Sequence, residues 1–124
     1  ADVLVGTHGA GLTNAFFMRR GGALVEVRPF GFEGSWPDHY FKELSALEHA
    51  IHYYQVTSGS PQLSVPPPQP DVSVWDARDH AVRLPWRTLR DVLGTIFAVN
   101  RSRERYLQLR ARRTNTTFVS RARS

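Results

Sequence analysis

Three short runs of mostly apolar residues stand out from a polar background: 1–6 (A-D-V-L-V-G), 23–27 (A-L-V-E-V) and 52–56 (H-Y-Y-Q-V). The first two are nearly continuous rather than alternating, the pattern of strands covered on both faces in a parallel sheet. The third is aromatic and β-prone. Between the first two, Leu12, Ala15, Phe16 and Arg19 follow helical spacing and predict a short helix over 12–20, stopped by Gly21-Gly22. Arg28-Pro29 closes the second strand. Strand, glycine turn, helix and strand within about 30 residues make a βαβ unit. Further on, Tyr40, Phe41, Leu44, Leu47 and Ile51 form one apolar stripe and predict a helix over 37–50. Ser35 and Asp38 bracket Pro37 with capping-box spacing at its start.

The pattern weakens after the third strand. Residues 58–71 hold five Pro among Ser, Gly and Gln, which predicts an exposed loop. Residues 72–75 and 81–84 predict short strands around Asp76-Ala77-Arg78-Asp79. Thr88 with Asp91 three residues on marks a helix start, and Leu89, Val92, Leu93, Ile96 and Phe97 share one face, predicting a helix over 88–99. A more polar helix is expected over 102–113, with the remainder frayed. The chain therefore reads as α/β, a parallel sheet with flanking helices over 1–99 followed by a basic helix and tail over 100–124.

Charge sharpens that division. The net charge is +5, but from Asn100 onward there are eight Arg against Glu104, so the first 99 residues carry −2. Tyr106 and Phe118 are the tail's aromatics, too few for the interleaved stripe of a nucleic-acid domain, so the tail reads as a solvated basic extension. Truncation after Val99 is expected to remove any polyanion binding and to spare the body's own ligand, provided the domain folds. With 124 residues at 41% hydrophobic, the chain can bury one core. The absence of cysteine excludes disulfide frameworks and cysteine-ligated metal sites. The longest apolar run is far short of the ~18 residues a membrane span needs. Opening on Ala1 and strand-like residues without a targeting segment, the chain reads as a piece of a longer protein.

The richest chemistry lies in Gly6-Thr7-His8-Gly9-Ala10-Gly11-Leu12-Thr13-Asn14, between a strand and a helix. Glycines there admit close approach of the main chain to a ligand, and the following helix turns free N–H groups and its positive dipole end toward the turn. The turn suits a phosphate-bearing ligand or serves as a purely structural corner. It lacks the Lys of a P-loop. Asn14 also stands where the dinucleotide fingerprint has its third Gly or Ala. Thr13 and Asn14 either cap the helix or touch phosphate. Glu26, near the end of an apolar strand, either accepts hydrogen bonds from ribose hydroxyls or pairs with Arg19, Arg20 or Arg28. His49 and His52 have i, i+3 spacing but straddle a helix end without a third ligand, so no metal site is expected. Asp76, Asp79 and His80 read as turn formers, and Trp36, Trp75 and Trp86 as core residues or sugar-stacking surfaces. No Gly-x-Ser-x-Gly elbow or Asp-x-Asp motif occurs. Asn100-Arg-Ser and Asn115-Thr-Thr are N-glycosylation sequons, and they favour a lumenal compartment.

The segment V-L-V-G-T-H-G-A-G-L-T-N, followed by F-F-M-R-R-G-G-A-L-V-E-V, resembles the C-terminal part of glycosyltransferase family 61. That family includes plant xylosyl- and arabinosyltransferases and the protein O-linked N-acetylglucosaminyltransferases of the secretory pathway. The match covers about residues 1–30; beyond it the order of elements agrees, while the Pro-rich 58–71 is no part of the family pattern. The resemblance implies the C-terminal, Rossmann-like half of a GT-B enzyme, which binds most of the nucleotide sugar. It also implies inverting transfer, from a UDP-sugar to a hydroxyl acceptor, with no metal or other cofactor at the diphosphate. Carried onto this chain, Thr7, His8, Gly9, Ala10, Gly11, Leu12, Thr13 and Asn14 would surround the donor diphosphate, and Glu26 would face ribose or sugar hydroxyls. His8 would either donate a hydrogen bond to the leaving group or cap the turn.

The general base would lie on an N-terminal domain outside this chain, so the chain alone would bind donor weakly and catalyse nothing. The implied partners are a nucleotide-sugar donor and a glycan or glycoprotein acceptor in the Golgi or endoplasmic reticulum lumen, with no specific nucleic acid and no membrane span in this segment. Two other readings fit the βαβ unit: a nicotinamide or flavin oxidoreductase domain, and a noncatalytic module whose Arg tail binds a polyanion.

Overall fold

The apolar runs pair with one another. The computed structural model describes residues 2–7, 18–30, 51–65, 81–112 and 116–122. Its strands β1 (Val3–Thr7), β2 (Ala23–Arg28) and β3 (His52–Ser58) lie side by side and parallel. A 3-10 turn (Pro61–Leu63) leads into β4 (Ser64–Val65), which pairs antiparallel with β5 (Ala81–Val82). Two helices follow, α1 (Trp86–Val99) and α2 (Arg103–Arg110). The last strand, β6 (Thr117–Ser120), joins β3 in parallel and completes the order β1-β2-β3-β6. This is an α/β, Rossmann-like arrangement of a four-stranded parallel sheet with flanking helices. No helix among the described residues is long and apolar enough to cross a membrane.

Every residue of β2 is buried, as expected of a central strand whose run is apolar apart from Glu26 and Arg28. The two-residue period divides its side chains between two cores. Ala23, Val25 and Val27, with Tyr54 and Val56 of β3, pack against Val92 and Val99 of α1 and Tyr106 of α2. Leu24 and Tyr53 face the other way, into a cluster with Met18, Ile51 and Leu4. Full burial of each such side chain contributes roughly 1.5–3 kcal/mol relative to exposure.

Tyr106 links helix to sheet. Its hydroxyl donates to the Tyr53 carbonyl at 2.7 Å and accepts from the Tyr53 N–H at 2.9 Å. Backbone pairing on that edge of β3 begins only at Gln55, whose N–H reaches the Thr116 carbonyl at 2.9 Å. One phenol thus stands in for the strand that has not yet arrived. The same ring stacks on His52 with centroids 4.3 Å apart and meets Tyr54 edge-on at 5.6 Å.

Several expectations change at this level. The C-terminal segment does not simply fray: β6 lies in the sheet and Tyr106 in the core, so residues on both sides of 99 and 100 share one body. The polar helix ends at Arg110 rather than near 113, and Ser102 caps it by accepting from the Arg105 N–H at 3.2 Å. Helix α1 begins two residues before Thr88, with Pro85 at its N-cap and no side-chain cap. The helix predicted over 12–20 does not extend through Met18–Arg20, which form a bend and a turn. Leu63 and Ser64 are buried, so the start of the Pro-rich stretch is docked rather than exposed. Ala81–Val82 pairs with Ser64–Val65. The elements predicted over 37–50 and 72–75 lie outside the described residues.

Candidate functional site

In parallel α/β sheets, ligands bind beyond the carboxyl ends of the strands. Here β1 ends at Thr7, exposed and in register with Val27, so the glycine-rich motif leaves the sheet at its carboxyl edge. Thr7 is strand rather than turn. His8, Gly9, Ala10, Gly11, Leu12, Thr13 and Asn14 lie outside the described residues, as do His49, Asn115, Asp76, Asp79, His80, Trp36 and Trp75.

The face of the sheet opposite α1 changes character along the strands. At the amino end Leu4, Leu24 and Tyr53 form one apolar row across β1, β2 and β3. The next row on that face is Gly6, Glu26 and Gln55, and beyond it come Arg28 and Thr57. Polarity therefore concentrates at the carboxyl end, where the motif begins.

Glu26 and Arg28 are fully buried, and such charges persist only when paired. Arg28 Nε donates to Glu26 Oε1 at 2.9 Å, so Arg28 is an ion-pair partner among the three arginines considered. The Tyr53 hydroxyl donates to the same oxygen at 2.5 Å. Burial, with the Glu26 carboxylate beside it, raises the Tyr53 pKa and keeps the phenol a neutral donor. Beside them Gln55 Nε2 donates to Thr57 Oγ1 at 2.8 Å. Two donors on one oxygen fix the carboxylate's orientation, as befits either an anchored acceptor at a ligand edge or a rigid core pair.

The strand β3 carries a second polar group on its other face. His52 is buried, and its imidazole is pushed down to about 4 by burial and then by the nearby Arg103 and Arg101 charges. It is neutral at physiological pH and packed into an aromatic stack. Among the described residues no three His, Cys, Asp or Glu side chains gather as metal ligands. Asn100 caps α1 in the left-handed region at φ 48°, with its side chain exposed. Trp86 is the first residue of α1 and lies exposed rather than in the core.

Sequence reasoning did not find Tyr53 as a partner of Glu26, nor the His52–Tyr54–Tyr106 cluster. The signal was the period of two in H-Y-Y-Q-V, which puts His52 and Tyr54 on one face and Tyr53 on the other. No protein-family model matches the chain, and neither does any curated protein or solved structure.

Proposed function

We propose that this chain is the donor-binding half of an inverting GT-B glycosyltransferase resembling family 61, acting on a UDP-sugar and a hydroxyl acceptor in the secretory pathway. The observation that supports this most is the start of T-H-G-A-G-L-T-N at the carboxyl end of β1, beside the polar Glu26–Arg28 end of β2. The glycine turn and helix that the sequence predicts after β1 would offer a diphosphate main-chain N–H groups and a helix dipole, which can stabilise its charge without a cation. His8 then donates to the leaving phosphate, and the Glu26 row orients sugar or ribose hydroxyls. Sugar transfer itself needs a general base contributed from outside these residues.

The test is calorimetric titration of the chain with UDP, repeated with chelator and with NAD as competitor. UDP binds in the millimolar range or tighter, chelator leaves the affinity unchanged, NAD does not displace it, and His8→Ala weakens it by roughly 10- to 150-fold. Displacement by NAD would favour the oxidoreductase reading. A ten-fold loss with chelator, restored by manganese, would exclude metal-independent binding.

A further inference from the structure

β1 is an outermost strand of the sheet, and among the described residues no strand pairs with its outer side. The Asp2 carbonyl accepts from the Ala23 N–H at 2.8 Å, so it points toward β2. Main-chain groups alternate in direction along a strand, which turns those of Val3, Val5 and Thr7 outward. The run V-L-V-G-T brings no charge and no proline to this side. Those are devices that ordinarily keep sheets from pairing edge to edge. Val5, an apolar residue at the strand's midpoint, is 39% exposed.

An apolar stripe of α1 borders the same strand. Trp86, Leu93 and Phe97 fall within about 40° of one another around the helix. Trp86 and Phe97 are 65% and 70% exposed. Val3, His52, Tyr54 and Phe97 line one cavity of about 260 Å³ at the amino end of the sheet, which puts the stripe on the β1 side of the helix. Just past α1, Arg101 bonds Asp2, so the helix ends beside the start of β1 and Trp86 lies toward the strand's other end.

We propose that β1 is a dimerisation edge, where a second copy of this chain adds its own β1 antiparallel about a two-fold axis through Val5. The axis sets Val5 against the partner's Val5, and Val3 against the partner's Thr7. Every outward N–H and C=O of the strand then meets one of the partner, with none left over. Charge selects a copy at this edge and not at the other. Asp2, next to β1, is already held by Arg101 at 2.6 Å. The opposite edge, β6, is flanked in sequence by Arg110, Arg112 and Arg121, so two copies meeting there would repel. The antiparallel arrangement also brings Phe97 toward the partner's Trp86. Such side chains bury about 150–250 Å² each, which enlarges a ladder too short to hold a dimer alone. The pairing uses neither the glycine motif beyond Thr7 nor Glu26, so it does not depend on the glycosyltransferase reading.

The test is sedimentation of the intact chain across the micromolar range, followed by crosslinking through single cysteines in a chain that has none of its own. The expected result is a reversible, concentration-dependent dimer. Phe97→Ser, at an exposed position, should weaken it roughly 5- to 150-fold, because the axis repeats the lost aromatic contact. Val5→Cys should form a disulfide between copies under mild oxidant, since directly paired residues have Cα atoms about 5.5 Å apart. Val119→Cys, exposed on β6, should not. The wild-type sedimentation decides the matter even if a β1 variant fails to fold. A monomer at every concentration, which would leave the edge to a foreign strand, would overturn the proposal. So would a dimer that crosslinks through Val119 instead of Val5, or one that Phe97→Ser leaves unchanged.

Discussion

Tyr106 bonds both the N–H and the carbonyl of Tyr53 through one oxygen, at a stretch of β3 that β6 has not yet reached. Tyr106→Phe keeps the stack on His52 and strips both bonds. Two buried backbone groups then lose their partner, which costs roughly 2–6 kcal/mol at about 1–3 kcal/mol each before partial relaxation. Urea denaturation should show that loss; a change below about 0.5 kcal/mol would mean that water replaces the phenol. His52 makes a separate prediction about pH. Its folded pKa is near 4, below the unfolded value of 6.5, so the unfolded chain binds the extra proton between those values. Stability is therefore fully present above about pH 6.5 and falls as pH drops toward 4. From pH 7 to pH 5 the loss should be roughly 2 kcal/mol. His52→Phe, which retains an aromatic ring against Tyr106, should flatten that slope in matched urea titrations.

Among the elements, the turn from α1 to α2 is held against the start of β2. Asn100 and Arg101 both have positive φ, and the Arg101 guanidinium reaches the Asp2 carboxylate at 2.6 Å and the Arg20 carbonyl at 3.0 Å. Gly21 lies beneath this turn at φ 81°, and a Cβ there would meet the Arg101 carbonyl oxygen at 2.9 Å. Gly21→Ala should therefore cost at least about 1–2 kcal/mol from its backbone angle alone. Gly94 is the opposite case, inside α1 with nothing within 4 Å of its added Cβ, so Gly94→Ala should stabilise by about 1 kcal/mol. Melting temperatures that move the same way for both variants would contradict this local account.

The elements differ in how much the sequence announces them. β1 and β2 were legible because burial on both faces leaves a nearly unbroken apolar run. β6 was not: T-F-V-S is short and half polar, and it becomes a strand only by pairing with β3. The start of α1 was displaced because Thr88 and Asp91 imitate a cap that the chain does not use. At the candidate site the glycine motif could be read from residue types. The Arg28 pairing of Glu26 was among the alternatives the residues offered. The Tyr53 hydroxyl on the same carboxylate oxygen could not be read, because that contact depends on the register between β2 and β3.

For the molecule as a whole, the basic residues after Asn100 ride on structure that the sheet needs. Truncation after Val99 removes Tyr106 from the core and β6 from the edge of β3. The shortened chain should therefore lose its cooperative unfolding transition, and a truncated protein that still melts cooperatively would contradict this. Nucleotide binding has to be examined in the intact chain for that reason. The sheet offers two distinct edges, a carboxyl edge where the glycine motif begins and an amino edge with the His52–Tyr54 cavity. The central claim is that a nucleotide diphosphate belongs to the first. Amide NMR of the intact chain titrated with UDP in the presence of chelator tests it most directly. The account predicts saturable shifts at Thr7 and across Glu26 to Arg28, with Val3, Gly21 and His52 unmoved; shifts centred on the amino edge, or none at millimolar UDP, would contradict it.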